Sequence, residues 1–170
     1  DGVYRSRNGV GFGDLGELQR IEVLKGPQGT LFGKNTSAGV VNIITEAPSF
    51  TQGYNAELTY GNFGAMGAAG SFTGPVSDTM AVRLYAARSE RDGYYDVDTG
   101  DGPRTQTDDM NQDFWTARGQ VLWLPNDNTS FRLIADYSKR DEYCCVGVQV
   151  RTGQTYPFID ALSNGTRSEE

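Results

Sequence analysis

The sequence predicts a mainly β chain: a short glycine-punctuated segment, then the first ~5 antiparallel strands of a transmembrane β-barrel. Three observations predict it. Apolar and polar residues alternate with period two in a series of runs after Pro48. Short turns close one end of these runs; at the other, Asn62–Gly64 is short but the remaining connections are long and acidic, the asymmetry of bacterial outer-membrane barrels. Aromatic residues stand at both ends of the apolar faces, where a barrel meets the two membrane interfaces.

Each element follows in order. The stretch Arg20–Thr45, RIEVLKGPQGTLFGKNTSAGVVNIIT, reads as strand, turn and strand, with Gly26-Pro27 turning the chain and Val40–Ile44 as the second strand. The composition changes near Pro48, which places a boundary at Glu46–Thr51 and two regions at 1–48 and 49–170. The strands after it are Tyr54–Tyr60, Ala65–Phe72, Met80–Glu90, Phe114–Leu124 and Ser130–Lys139. Gly74–Asp78 and Pro125–Asn128 are tight connections rich in turn formers; Asp92–Gln112 and the chain from Arg140 are long polar loops.

The central charges Glu57, Arg83, Arg118, Arg132 and Asp136 all fall on the polar face of their strands. A Lys or Arg on the lipid face would cost about 2–4 kcal/mol at the bilayer midplane. Tyr54, Trp123 and Phe131 mark the short-turn rim of the apolar faces; Tyr60, Trp115 and Tyr137 mark the long-loop rim. Eight steps of ~3.3 Å separate Trp115 from Trp123, and a tilt of ~40° brings that to about 20 Å across an apolar band. A soluble antiparallel sheet with one buried face alternates too, so a soluble β-rich binding domain is the alternative of another class. Small closed barrels need about eight strands, so the chain is expected to be an internal segment of a longer protein.

Composition removes other functions. A net charge of -7 and the lack of a basic stripe argue against nucleic acid. The mean hydropathy of -0.51 suits a wall apolar on one face only, and no apolar run is long enough for a transmembrane helix. Without histidine, Ser/His/Asp and Cys/His catalysis are excluded, and so are most transition-metal sites. No enzyme, cofactor or metal is expected. Cys144–Cys145 is either a strained vicinal disulfide or two free thiols.

Gly11–Gly16 spells a dinucleotide fingerprint, but only Glu17-Leu18-Gln19 separates it from the next strand, too little for the helix that would meet a pyrophosphate. Gly29–Asn35 resembles a phosphate loop with one residue too few, and a strand follows it. Asp96, Asp98 and Asp101 approximate the start of a calcium loop, but the glycine is out of order and Thr107 replaces the closing glutamate; a solvated acidic loop is the reading.

The run IEVLKGPQGTLFG, followed by SAGVVNIIT and Ala-Pro, resembles the C-terminal part of the plug domain of TonB-dependent outer-membrane receptors. Asp1-Gly2-Val3-Tyr4 resembles the plug strand upstream, and the alternating strands stand where that family has the start of its barrel. The resemblance covers 1–50 by motif and 51–140 by pattern; DYSKRDEYCC resembles one group of large iron-chelate receptors. It implies a 22-stranded, plugged barrel in the bacterial outer membrane and active import of a scarce bulky nutrient. That nutrient would be a ferric siderophore, with glycans or cobalamin as runners-up. TonB would engage a segment outside this chain, and lipid would surround the barrel.

It further implies that substrate binds at a plug apex in Arg5–Asp14. There Arg5 and Arg7 would pair with an anionic ferric chelate, Asn8 would hydrogen-bond it and Phe12 would pack on it. Tyr94, Tyr95 and Tyr143 are further candidates in the loops. Arg20, Glu22 and Lys25 are expected to face barrel charges such as Arg118 and Asp136, holding the plug while letting it rearrange.

Overall fold

The computed structural model describes residue 1 and residues 16–33, 36–98, 105–143 and 167–169. Arg5, Arg7, Asn8, Phe12 and the Cys144–Cys145 pair lie outside the described residues. The elements are β1 (Leu18–Lys25), a single helical turn α1 (Gly29–Phe32), β2 (Gly39–Thr45), β3 (Gly53–Tyr60), β4 (Met66–Ser77), β5 (Met80–Arg91), β6 (Tyr95–Asp98), β7 (Asp108–Asp109), β8 (Gln112–Asn126), β9 (Thr129–Arg140) and β10 (Arg167–Glu169).

β1 and β2 pair antiparallel, from Leu18 opposite Thr45 to Lys25 opposite Gly39, with a bulge between Leu18 and Arg20. The hairpin closes tightly at Gly39, whose φ is +146° and where an added Cβ would lie 2.6 Å from the Leu24 carbonyl oxygen. No L side chain fits there without moving the backbone.

The large sheet runs β3-β4-β5-β8-β9. Its strands match the sequence expectation in number and order and run longer at most ends. Two prolines expected in turns lie inside strands. Pro75 is in β4 and Pro125 in β8, and the turns shrink to Asp78-Thr79 and Asp127-Asn128. The reason is ladder geometry. Gly74 already lies beside Gln52, which precedes β3, and the Leu124 amide already bonds the carbonyl of Thr79, which precedes β5. Each proline therefore stands on an overhang past the start of a neighbouring strand, where no amide is needed on that side. Both turns are fixed alike: Ser77 Oγ accepts the Thr79 amide at 3.3 Å, and Asn126 Oδ1 accepts the Asn128 amide at 3.1 Å.

Burial is inverted relative to a soluble sheet. Among the described residues the buried apolar side chains are Ala81, Ala87 and Val97. The buried polar ones include Thr45, Thr73, Thr116, Arg118 and Gln120. The outward faces carry Tyr54, Leu58, Tyr60, Leu84, Trp115, Trp123, Phe131, Leu133 and Tyr137, all exposed. Trp123 stacks on Phe131 with ring centroids 5.5 Å apart. No described helix is long and apolar enough to cross a membrane.

The chain forms two compact units that share the long strands. The first comprises Asp1–Ala56, Gly70–Ala87 and Thr116–Tyr137; the second comprises Glu57–Ala69, Arg88–Trp115 and Ser138–Glu170. The second contains a three-stranded sheet, β10-β6-β7, not expected from the sequence. Tyr95 there stands opposite Asp109, and Asp98 opposite Arg167.

Candidate functional site: a carboxylate–arginine interface

The first unit joins the N-terminal segment to the polar face of the large sheet through charged groups. Strand periodicity places Arg83 on β5, Arg118 on β8 and Arg132 on β9 on that face. Glu17, just before β1, is the hub at one side. Its carboxylate pairs with the Arg83 guanidinium, accepts the Ser71 hydroxyl at 2.9 Å and lies 3.4 Å from the Asn55 amide nitrogen. One side chain thereby reaches β3, β4 and β5. Gly16 beside it leaves room for Tyr85: an added Cβ would sit 3.0 Å from that ring.

The turn after β2 is the second anchor. Arg83 Nε donates to the Ala47 carbonyl at 3.0 Å, and the Gln120 amide to the Glu46 carbonyl at 3.1 Å. Arg132 Nη2 donates to the Thr45 carbonyl and hydroxyl, each at 3.1 Å, and to Gln120 Oε1 at 2.6 Å. Thr45 is 1% exposed. Its amide and hydroxyl donate to the Asp1 carboxylate at 3.1 and 2.8 Å. That carboxylate lies 3.8 Å from Arg118 and 3.9 Å from Arg132. Arg118 also pairs with Asp136 on β9. Burying arginines is costly unless they are paired and hydrogen-bonded; these three are paired by acids or carbonyls of the N-terminal segment, and Arg118 also by the sheet.

The sequence-selected charges divide. Arg118 and Asp136 are in the interface, bonded to each other. Arg20 and Glu22 bond to each other at 2.6 Å within β1, and Asn42 of β2 donates to Glu22 at 2.8 Å. Lys25 is exposed and has no ion pair among the described residues. Arg20 and Glu22 thus serve the hairpin, and the sheet is met by Asp1, Glu17 and Glu46. Glu22 is held below the ordinary carboxylate range, first by the Arg20 hydrogen bond and then by that from Asn42. The sequence signal for the missed acids lies in the sheet: three arginines on one polar face call for counter-charges.

Of the loop tyrosines, Tyr94 stacks under Arg91, with the guanidinium carbon 3.8 Å from the ring centroid. In the acidic loop, Asp108 accepts the Gly93 amide at 2.8 Å. No group of three or more His, Cys, Asp or Glu among the described residues is placed to hold a metal ion.

A strand wall with a polar buried face, an apolar exposed face and a β-hairpin segment bonded to the polar side is the build of a plugged outer-membrane barrel. The chain belongs to the TonB-dependent outer-membrane receptors, and it is a receptor segment, not an enzyme. It is 31% identical over 122 residues to the ferrioxamine receptor of Yersinia enterocolitica, a match covering 72% of this chain and 16% of that protein. The pesticin receptor of Yersinia pestis is 33% identical over 98 residues, 56% of this chain and 14% of that protein. The iron-regulated outer membrane virulence protein of Vibrio cholerae is 34% identical over 84 residues, 46% of this chain and 13% of that protein. The chain thus spans about a sixth of the length of the relatives it matches. No family model matches the chain.

Proposed function

We propose that residues 1–48 are the C-terminal part of a plug, residues 49–170 the first strands and loops of its barrel, and the whole an importer of a ferric siderophore. The carrying observation is the interface just described: the centre of the polar face, around Arg83, Arg118 and Gln120, is covered by the N-terminal segment while the apolar face stays exposed. An obstruction held, among the described residues, mainly by ion pairs and hydrogen bonds separates from its wall with little exposure of hydrophobic surface. That suits a plug that must rearrange to pass cargo. In this reading Asp1, Glu17 and Glu46 against Arg83, Arg118 and Arg132 are the plug–barrel contacts, and Arg118–Asp136 preorganises the wall. Arg20 and Glu22, with Lys25 beside them, stiffen the plug hairpin.

The names of the ferrioxamine receptors and of the iron-regulated outer membrane protein support an iron chelate as cargo. TonB is the proposed energy-coupling partner. Arg5, Arg7, Asn8 and Phe12 are the proposed contacts to an anionic chelate. The test is uptake of a radiolabelled ferric hydroxamate by a receptor-deficient strain carrying the intact receptor. We expect accumulation that stops when TonB is deleted and falls when Arg5 and Arg7 are both replaced by Gln. Uptake that persists without TonB, or no binding of any ferric chelate, would overturn the reading.

A further inference from the structure

In the second unit, one cluster breaks local backbone rules. Among the described residues the non-glycine residues with positive φ are Phe63, at 57°, and Met110, at 64°. Phe63 is the first central residue of the turn from Asn62 to Ala65, in which the Ala65 amide bonds the Asn62 carbonyl at 3.2 Å and Gly64 has φ of 63°. Turns of this kind take Asn, Asp or Gly there, because a Cβ crowds the backbone. Asn62, one residue earlier, would suit that conformation better. Something must hold Phe63 in place.

Its contacts do so. The Phe63 ring meets Tyr94 edge-on, with centroids 4.8 Å apart, and its carbonyl accepts the Asp92 amide at 2.9 Å. The Arg91 guanidinium lies over the Tyr94 ring at 3.8 Å. Its Nη2 donates at 2.8 Å to the carbonyl of Met110, the second strained residue. Met110 in turn donates its amide to the Tyr143 carbonyl at 2.9 Å. A second nitrogen of that guanidinium, Arg91 Nη1, is buried and has no hydrogen-bond partner among the described residues.

We propose that Arg91 is a latch residue that fastens the β3–β4 turn to the segment leading into β8, in a closed state built to be released. Arginine suits the task because its planar fork stacks on a ring and bonds a carbonyl at once, which lysine cannot do. The closed state carries two strained residues and an Arg91 Nη1 whose two N–H donors are unsatisfied. Opening relaxes both residues and gives Nη1 to water, so closure is favoured only narrowly. Phe63 and Tyr94 are already 53% and 48% exposed in the closed state, so release frees chiefly the Arg91 guanidinium. The latch is independent of the cargo reading.

The test is hydrogen exchange on the intact receptor in detergent, comparing wild type with R91A, R91K and F63N. In R91A the amides of Asp92, Tyr94 and Met110 should exchange about tenfold faster, the factor that loss of a hydrogen bond to a charged group corresponds to. The amides within β4 and β5 should stay unchanged. R91K should resemble R91A. F63N should speed the same loop amides even though asparagine relieves the strain in the turn. Wild-type rates in R91A or R91K, slower loop exchange in F63N, or equal acceleration throughout β4 and β5 would each overturn the latch.

Discussion

Arg83 and Leu84 are neighbours in β5 and lie on opposite faces of the sheet. The Arg83 side chain is 13% exposed and Leu84 is 55% exposed. In a water-soluble sheet the burials would be reversed. The arginine is buried because acids and carbonyls of the N-terminal segment meet it; the leucine is exposed because its solvent is lipid. The pair teaches that this molecule keeps its bonds inside and its hydrophobic surface outside, so substitution rules invert from one residue to the next.

The comparison is broken most strongly from the inside. Arg83→Leu removes the partner of Glu17 and the donor to Ala47, leaving a largely buried carboxylate unpaired. We expect about 3 kcal/mol of lost stability and faster proteolysis within residues 16–47, read by denaturant unfolding and limited digestion of the receptor in detergent. Next comes the outside: Leu84→Arg should cost about 2–4 kcal/mol in the bilayer and lower the yield of inserted receptor, read by outer-membrane fractionation. The same change should be nearly silent if that face met water.

Thr45→Val sharpens the inner side, since it deletes the hydroxyl shared by Asp1 and Arg132. The expected loss is about 1–2 kcal/mol with the hairpin intact, read by unfolding and by circular dichroism. The smallest effect belongs to Arg20→Gln, in the exposed hairpin. Because Arg20 and Asn42 lower the Glu22 pKa, the stabilisation from Glu22 is present above the ordinary carboxylate value and disappears as pH falls through its lowered value. The difference between wild type and variant in a pH-dependent unfolding series should therefore be small near neutrality. It should fade as pH drops below the ordinary carboxylate value and vanish once pH is below the lowered Glu22 value.

Much of the wall was legible because period two is a strong signal and a charge fixes which face is polar. Arg83, Arg118 and Arg132 each stand at the centre of a run whose parity admits one assignment. The prolines misled because Pro75 and Pro125 are turn formers by residue type, and only the overhang past a neighbouring strand frees them from donating. The β10-β6-β7 sheet was invisible because its strands are two to four residues long, too short for alternation, and β10 is distant in sequence. The anchors on the N-terminal segment were missed for another reason. Glu17 and Glu22 are the same residue type five positions apart, and only the placement of β1 beside the sheet decides that one grips an arginine and the other stays in its hairpin.

The most direct test of the two-faced wall is a spin-label scan of β5, placing single labels at positions 82 to 86 of the receptor in outer-membrane vesicles. Collision rates with lipid-soluble oxygen and with a water-soluble nickel reagent would be compared. High oxygen and low nickel accessibility is expected at Val82, Leu84 and Ala86. Low accessibility to both is expected at Arg83 and Tyr85, beneath the N-terminal segment. High nickel accessibility at Val82, Leu84 and Ala86 would mean that the apolar face meets water, and would contradict the account.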